Sequence, residues 1–224
     1  TIRRNRIVVE STSSSTSYSS YAIYVASSSP LSNIVIEQNW IEAIDQNDDQ
    51  AYAIHTSNYF ENSYIRNNII YCDTTDNAIY IGSDDEAASL VISNNAIMGD
   101  INTYYSAHYN NIIIYGDYVP GIGDMSSNNL CNAVQYPDVN NNLRNVDMTS
   151  VFEDYTSYID NGYLLKAGSP AIGTGVANVD CGPFGTVNAY KLSGIPAIPA
   201  IFEVEMTQSI GTSSLPVNIK AKSH

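Results

Sequence analysis

Positive charge is scarce in this chain. Nine Lys and Arg stand against 23 Asp and Glu, a formal net charge of −14 with a pI near 4.2. Nucleic-acid phosphate and anionic lipid headgroups repel such a surface, so both are excluded as partners, whereas neutral, cationic or calcium-bridged ligands are not. No apolar run approaches the ~18 residues of a membrane span. Cysteine is limited to Cys72, Cys131 and Cys181, an odd set without metal-site spacing. A disulfide framework is therefore not expected, at least one thiol is free, and burial is the natural place for all three. Also missing are a Ser-His-Asp arrangement, a phosphate-cradling Gly-rich loop and a Cys/His metal motif. What remains is 224 residues with 44% hydrophobic content, enough for a sizeable core.

That content is strongly patterned. Ile-x-x-Asn-x-Ile occurs at Ile2 to Ile7, Ile36 to Ile41, Ile65 to Ile70 and Ile92 to Ile97. Between the copies runs a second repeat, YAIYVASS from Tyr21, YAIHTSNY from Tyr52 and NAIYIGSD from Asn77. Degenerate copies follow as HYNNII from His108 and SSNNLC from Ser126, then the Asn-rich stretch Asn140 to Asn142. Two motifs alternating at fixed intervals mark a solenoid, in which a unit buries its apolar face only when the next one stacks on it.

The second repeat alternates with period two: Ile23 and Val25, Ile54 and Thr56, Ile79 and Ile81 on one parity, and Ala22 and Tyr24, Ala53 and His55, Ala78 and Tyr80 on the other. Period two means strand. In the first repeat the two Ile are an odd number of residues apart, so one straight strand cannot place both on the same face and the chain must bend between them. Asn tolerates left-handed backbone, which makes Asn5, Asn39, Asn68 and Asn95 the expected corners, with amides able to bond as a ladder. The expected fold is all-β, a right-handed parallel β-helix of about six or seven turns spaced ~4.8 Å apart, without a long helix. A leucine-rich repeat lacks its periodic Leu here, and an antiparallel sandwich does not account for in-phase motifs. The expected organisation is coils over residues 1–161, a closing Gly/Pro-rich segment over 162–194 and a β-hairpin cap, or the start of a small β module, over 195–224. Because the first repeat begins at Ile2, where a solenoid normally has a cap, the coils are expected to be the C-terminal part of a longer solenoid.

Beyond Gly162 the texture changes, with five of the eight prolines and no Ile/Asn repeat. The run LLKAGSPAIGTG from Leu164 and DCGPF from Asp180 resembles the closing signature of secreted bacterial right-handed β-helix proteins of the pectate-lyase-like superfamily. The tail from Leu192, LSGIPAIPAIFEV to LPVNIKAKS, is similar to C-termini of such proteins in the Bacteroidetes. The resemblance implies an exported or cell-surface protein working with polysaccharide, and no particular activity, since the superfamily holds lyases, hydrolases and proteins without known catalysis. Gly173 and Cys181 depart from the usual Asp and Ile of that block.

Three groups of residues are candidates for chemistry. Tyr24, His55 and Tyr80 share an outward position of the second repeat and form one column, a surface on which sugars stack or an aromatic ladder bracing neighbouring strands. Asp45, Asp48, Asp49, Asp73 and Asp76, with Asp84, Asp85 and Glu86, form an acidic edge, either a solvated border or a set of hard oxygens suited to calcium. Arg66, which follows Ile65 on an outward position near the Asn68 corner, is the one basic side chain in the interior copies of the repeat and the candidate base for a lyase, with Asp84 and Asp85 as candidate acids. The Asn-Thr-Asp and Gly-His-Gly motifs of polygalacturonase-like hydrolases are absent, and His108, at an Ile position, reads as a core residue. The expected function is a non-catalytic carbohydrate-binding or scaffold module needing no cofactor, with calcium as an optional ion at the acidic edge. Its partners would be polysaccharide or cell-surface glycan, other copies or surface proteins. The alternatives are a polysaccharide lyase or glycoside hydrolase, and an adhesin or fibre stalk.

Overall fold

The computed structural model describes residues 1–12, 19–45, 50–73, 76–192, 200–206 and 217–222, the last two stretches by their backbone. The chain is mostly β, and the only α-helix among the described residues is Met148–Val151, started by Asp147, whose carboxylate accepts the Thr149 N–H. No helix among the described residues is long and apolar enough to cross a membrane.

Three parallel sheets account for most of the strands. Sheet A contains Ile2–Arg3, Val35–Glu37, Ser63–Arg66, Leu90–Ser93, Ser106–Tyr109 and Met125–Ser127. Sheet B contains Arg6–Ser11, Trp40–Asp45, Ile69–Cys72, Ala96–Met98, Ile112–Tyr115 and Leu130–Cys131. Sheet C contains Ser20–Val25, Ala51–Thr56, Asn77–Ile81, Asp100–Thr103 and Tyr118–Pro120. The chain passes through A, B and C in that order, and each new strand pairs in parallel beside the previous strand of its own sheet. The repeat sets the register: Ile65 faces Ile36 and Ile92 in sheet A, Ile41 faces Ile70 in sheet B, and Ile54 faces Ile23 and Ile79 in sheet C. One apolar cluster draws on all three sheets, including Ile36, Ile65 and Ile92 from A, Ile41, Ile70 and Ile97 from B, and Ile54, Ile79 and Ile101 from C.

Between A and B the repeated Asn forms a continuous ladder of seven residues, Asn5, Asn39, Asn68, Asn95, Asn111, Asn129 and Asn142. Each Oδ1 from Asn39 onward accepts both the backbone N–H and the Nδ2 of the Asn one pass earlier, as Asn95 does from Asn68 at 2.9 and 3.0 Å. Nδ2 also reaches back to the earlier strand of sheet A, as from Asn95 to Ile65 O at 2.9 Å. Asn39, Asn68, Asn95, Asn111 and Asn129 are completely buried, so the bend of the chain is satisfied by side chains that carry both donor and acceptor. The left-handed backbone sits one residue earlier than the sequence suggests, at Arg4, Gln38, Asn67, Asn94, Asn110 and Asn128. The Asn of the motif turns its amide inward, and its predecessor takes the positive φ.

Those predecessors have a second use. Asn128 Nδ2 bonds Thr174 O, Asn110 Oδ1 accepts the Val176 N–H, Asn94 Nδ2 bonds Asp180 O, Asn67 Nδ2 bonds Pro183 O, and Gln38 Nε2 bonds Asn188 O. The segment after the last strands therefore runs back along the corner between A and B, towards the earlier passes. Its apolar side chains cover the outer face of sheet B, where Trp40, Ile69, Ala96, Ile112 and Leu130 form one register row under Met148, Val151, Phe152, Tyr163, Ala171, Cys181 and Tyr190. Sheet B is thus apolar on both faces, which is why its strands read as near-continuous hydrophobic runs such as IIYC and IIIY. Residues Thr1–Tyr190 form one compact unit and Lys191–His224 another; in the second, Ala200–Met206 pairs antiparallel with Val217–Lys222.

Candidate functional site

The outer face of sheet C is built differently. Tyr24, His55 and Tyr80 are direct register partners on three adjacent strands, and the row continues through Asn102 to Val119. Tyr24 is 52% exposed and Val119 59%, and His55, Tyr80 and Asn102 are partly exposed. His55 and Tyr80 stack at 5.0 Å with their planes 7° apart, and Tyr24 lies tilted against His55 at 5.2 Å. The expected column is present.

Two further rings join it. Asn77 pairs with Asp100, yet Ile79 pairs with Ile101 and Tyr80 with Asn102, so Ala78 is an extra residue in its strand. A bulge of this kind brings residues three apart onto one side. The register carries the same irregularity to Ala53 and Ala22, and Ala53 and Ala78 are buried instead of pointing outward with the rings. Tyr21 consequently meets Tyr24 at 4.7 Å, and Tyr52 meets His55 at 4.8 Å. Tyr21 and Tyr52 stack on each other at 5.1 Å and 12°. The sequence carried a signal for this pair, since Tyr-Ala-Ile recurs in the same repeat slot at 21 and 52. Strict period two puts them on the parity of Ile23 and Ile54, opposite to Tyr24 and His55.

The chemistry of the patch is that of uncharged donors and acceptors on apolar rings. Tyr52 Oη donates to Gln50 Oε1 at 2.6 Å, and burial followed by the neighbouring phenols of Tyr21 and Tyr80 and the Asp76 carboxylate raises the Tyr52 pKa. Burial lowers the His55 pKa, so the imidazole is neutral at pH 7, and its Nδ1 is buried without a hydrogen-bond partner among the described residues. Neighbouring rings cover one another's faces in the stacked pairs, and Tyr24, on the terminal strand of the sheet, is the most exposed of the five.

The acidic candidates are dispersed. Where sheet B passes to sheet C, Asp76 Oδ1 accepts the Ala51 N–H at 3.1 Å and Asp45 Oδ2 accepts the Ser20 hydroxyl at 3.4 Å, while Asp100 Oδ1 repeats the arrangement by accepting the Asp117 N–H at 2.8 Å. Asp45 and Asp76 are buried, and Asp73 is exposed beside them. Burial, reinforced by Asp73, Asp45 and Asp100, holds Asp76 above the ordinary carboxylate value. These carboxylates satisfy strand-start donors. Asp84, Asp85 and Glu86 are exposed in the connection after Ile81, where Asp85 Oδ1 accepts the Ala87 N–H. Asp48 and Asp49 lie outside the described residues. Among the described residues no group of three or more His, Cys, Asp or Glu side chains is placed to hold a metal ion.

Arg66 is on the outer face of sheet A, and the structure does not bring it to the acidic edge. Its guanidinium pairs with Glu37 at 2.8 Å and lies over the Tyr64 ring at 5.2 Å, while Arg3 takes the other Glu37 oxygen at 3.0 Å. Cys72, Cys131 and Cys181 are free and buried, their pKa values raised by desolvation. Comparison of the chain with protein-family models, with curated proteins and with solved structures returns no match.

Proposed function

We propose that this chain is an exported right-handed parallel β-helix of the pectate-lyase-like type, and that the outer face of sheet C is a non-catalytic binding surface for polysaccharide or cell-surface glycan. One observation carries the reading: the chain seals the outer face of sheet B with its own residues between Met148 and Tyr190 but leaves Tyr24, His55 and Tyr80, flanked by Tyr21 and backed by the buried Tyr52, as an accessible aromatic patch. Phenols and a neutral imidazole offer a sugar apolar ring surface and hydrogen bonds without charge, which suits a protein of this acidity. Against a lyase or glycosidase weighs the separation of Arg66, ion-paired on sheet A, from the carboxylates between B and C.

A stalk or scaffold without ligand is the second reading, favoured by the mutual stacking of the rings, which braces adjacent strands. Migration through native gels containing a panel of polysaccharides, with and without calcium, separates the cases. Retardation without clearing, lost in Tyr24→Ala and Tyr80→Ala and kept in Arg66→Ala and Asp84→Ala, is the expected result. Clearing that disappears in Arg66→Ala or Asp84→Ala would make the protein an enzyme, and indifference across the panel would make it a stalk.

A further inference from the structure

The inward row of sheet A reads Ile36, Ile65 and Ile92, then changes to His108 and Ser126. His108 is fully buried against Tyr118 and Tyr136, with ring centroids 4.8 and 6.2 Å away. The neighbouring Asp124 carboxylate, 1% exposed, is well supplied with donors: Oδ1 accepts the Ser106 N–H at 2.8 Å, and Oδ2 accepts Thr103 Oγ1 at 2.8 Å, Tyr118 Oη at 3.1 Å and the Gly121 N–H at 3.1 Å.

This inventory fixes the imidazole tautomer. The single proton of Thr103 goes to Asp124, so at the 3.0 Å contact between Thr103 Oγ1 and His108 Nε2 the hydroxyl oxygen accepts and Nε2 carries the hydrogen. Nδ1 is then a lone pair, buried, with no donor among the described residues. Tyr136 Oη is equally buried and has no hydrogen-bond partner among the described residues; both protons of the Asn111 amide beside it are committed to Ile92 O and Asn129 Oδ1. Ser126 Oγ, in register with His108, accepts from Asn142 Nδ2 at 3.2 Å and keeps its own proton to give.

We propose that an ordered internal water occupies the core here, donating to His108 Nδ1 and accepting from Tyr136 Oη and Ser126 Oγ. A buried water with about two to four polar partners is a normal part of a structure, whereas buried polar atoms left unsatisfied keep their full desolvation penalty. A pocket of about 470 Å³ adjoins this place, with His108, Asp124 and Ser126 among its lining residues.

Oxygen-17 relaxation dispersion, which counts long-lived internal waters, tests the site on the intact chain. The wild type is expected to hold one more such water than His108→Ile, and long-range proton–nitrogen spectra are expected to show hydrogen on Nε2 with Nδ1 hydrogen-bonded. Tyr136→Phe and Ser126→Ala, each removing one partner, are expected to shorten the residence time, and they carry the test if His108→Ile fails to fold. Equal dispersion in wild type and all folded variants, or a protonated Nδ1 at neutral pH, would overturn the proposal.

Discussion

The outer faces of sheets B and C belong to the same strand passes and the same repeat, yet one is sealed and the other open. On B the outward row is Trp40, Ile69, Ala96, Ile112 and Leu130, and the chain folds its own segment over it. On C the outward row is Tyr24, His55, Tyr80, Asn102 and Val119, and it stays accessible. The difference lies in what each side chain demands. Aliphatic groups gain ~25 cal/mol per Å² only when water is removed, so sheet B recruits a cover, whereas phenols and amides tolerate water. Outward polarity therefore marks where this scaffold is free to meet something else.

The comparison breaks most visibly at Trp40. Its indole is completely buried, donates to Glu42 Oε2 at 2.7 Å and meets Tyr163 edge-on at 5.8 Å. Trp40→Ala should cost about 3–5 kcal/mol in urea unfolding and release the covering segment to proteolysis near Tyr163. A loss below ~1 kcal/mol would mean that the cover contributes little. Asn95→Ala should cost nearly as much, ~3–4 kcal/mol, because it orphans the Asn68 N–H and Ile65 O inside the ladder that serves both faces.

Two histidines restate the comparison in terms of pH. His108 is wholly enclosed, and burial, opposed by Asp124, lowers its pKa from 6.5 to about 4. The unfolded chain takes up this proton near 6.5 and the folded chain only near 4, so the contribution is present above the unfolded value and is lost as pH falls through that window. The loss is about 3 kcal/mol. Asp76 and Asp100, held above their ordinary value by burial, act in the opposite sense on acidification. The slope of stability between pH 6.5 and 4 should therefore flatten in His108→Ile relative to wild type. His55 on the open face is lowered by burial without enclosure, and His55→Phe should change that slope little. Equal slopes for wild type and both variants would contradict the assignment.

Much of the A, B and C framework was legible because its constraints repeat. An Asn in every pass, buried from Asn39 onward, an Ile on either side of it in the first four copies and a period-two strand leave little freedom, and the row Tyr24, His55 and Tyr80 followed from parity alone. Three features were not legible, each for a physical reason. The bulge at Ala22, Ala53 and Ala78 adds one residue without changing the composition, and by parity alone Tyr21 and Tyr52 fall with Ile23 and Ile54 instead of with the column. The shift of positive φ to the residue before the Asn depends on which amide faces inward, a choice that pairs such as Asn67 and Asn68 leave open. The cover on sheet B is irregular chain held by scattered carbonyls, and a segment without period gives no periodic signal. Arg66 was rightly read as outward, but its Glu37 partner lies one pass away and is set by register.

The smallest expected effect on stability is on the open face, and it is the most informative about function. Tyr24 is half exposed on the terminal strand of sheet C, so Tyr24→Ala loses two ring contacts and little burial. The cost should stay within ~0.5–1 kcal/mol. If the column is a binding surface, the same change lowers affinity for a retained glycan about tenfold, the ~1.4 kcal/mol of one stacking contact, at unchanged unfolding midpoint. Tyr80→Ala tests the other reading, since its ring is stacked on His55 and touches Tyr52. A ladder that only braces strands would lose stability there and no affinity. A face that binds would lose affinity at both positions, and the ratio of the two losses would report how the ligand lies across the strands.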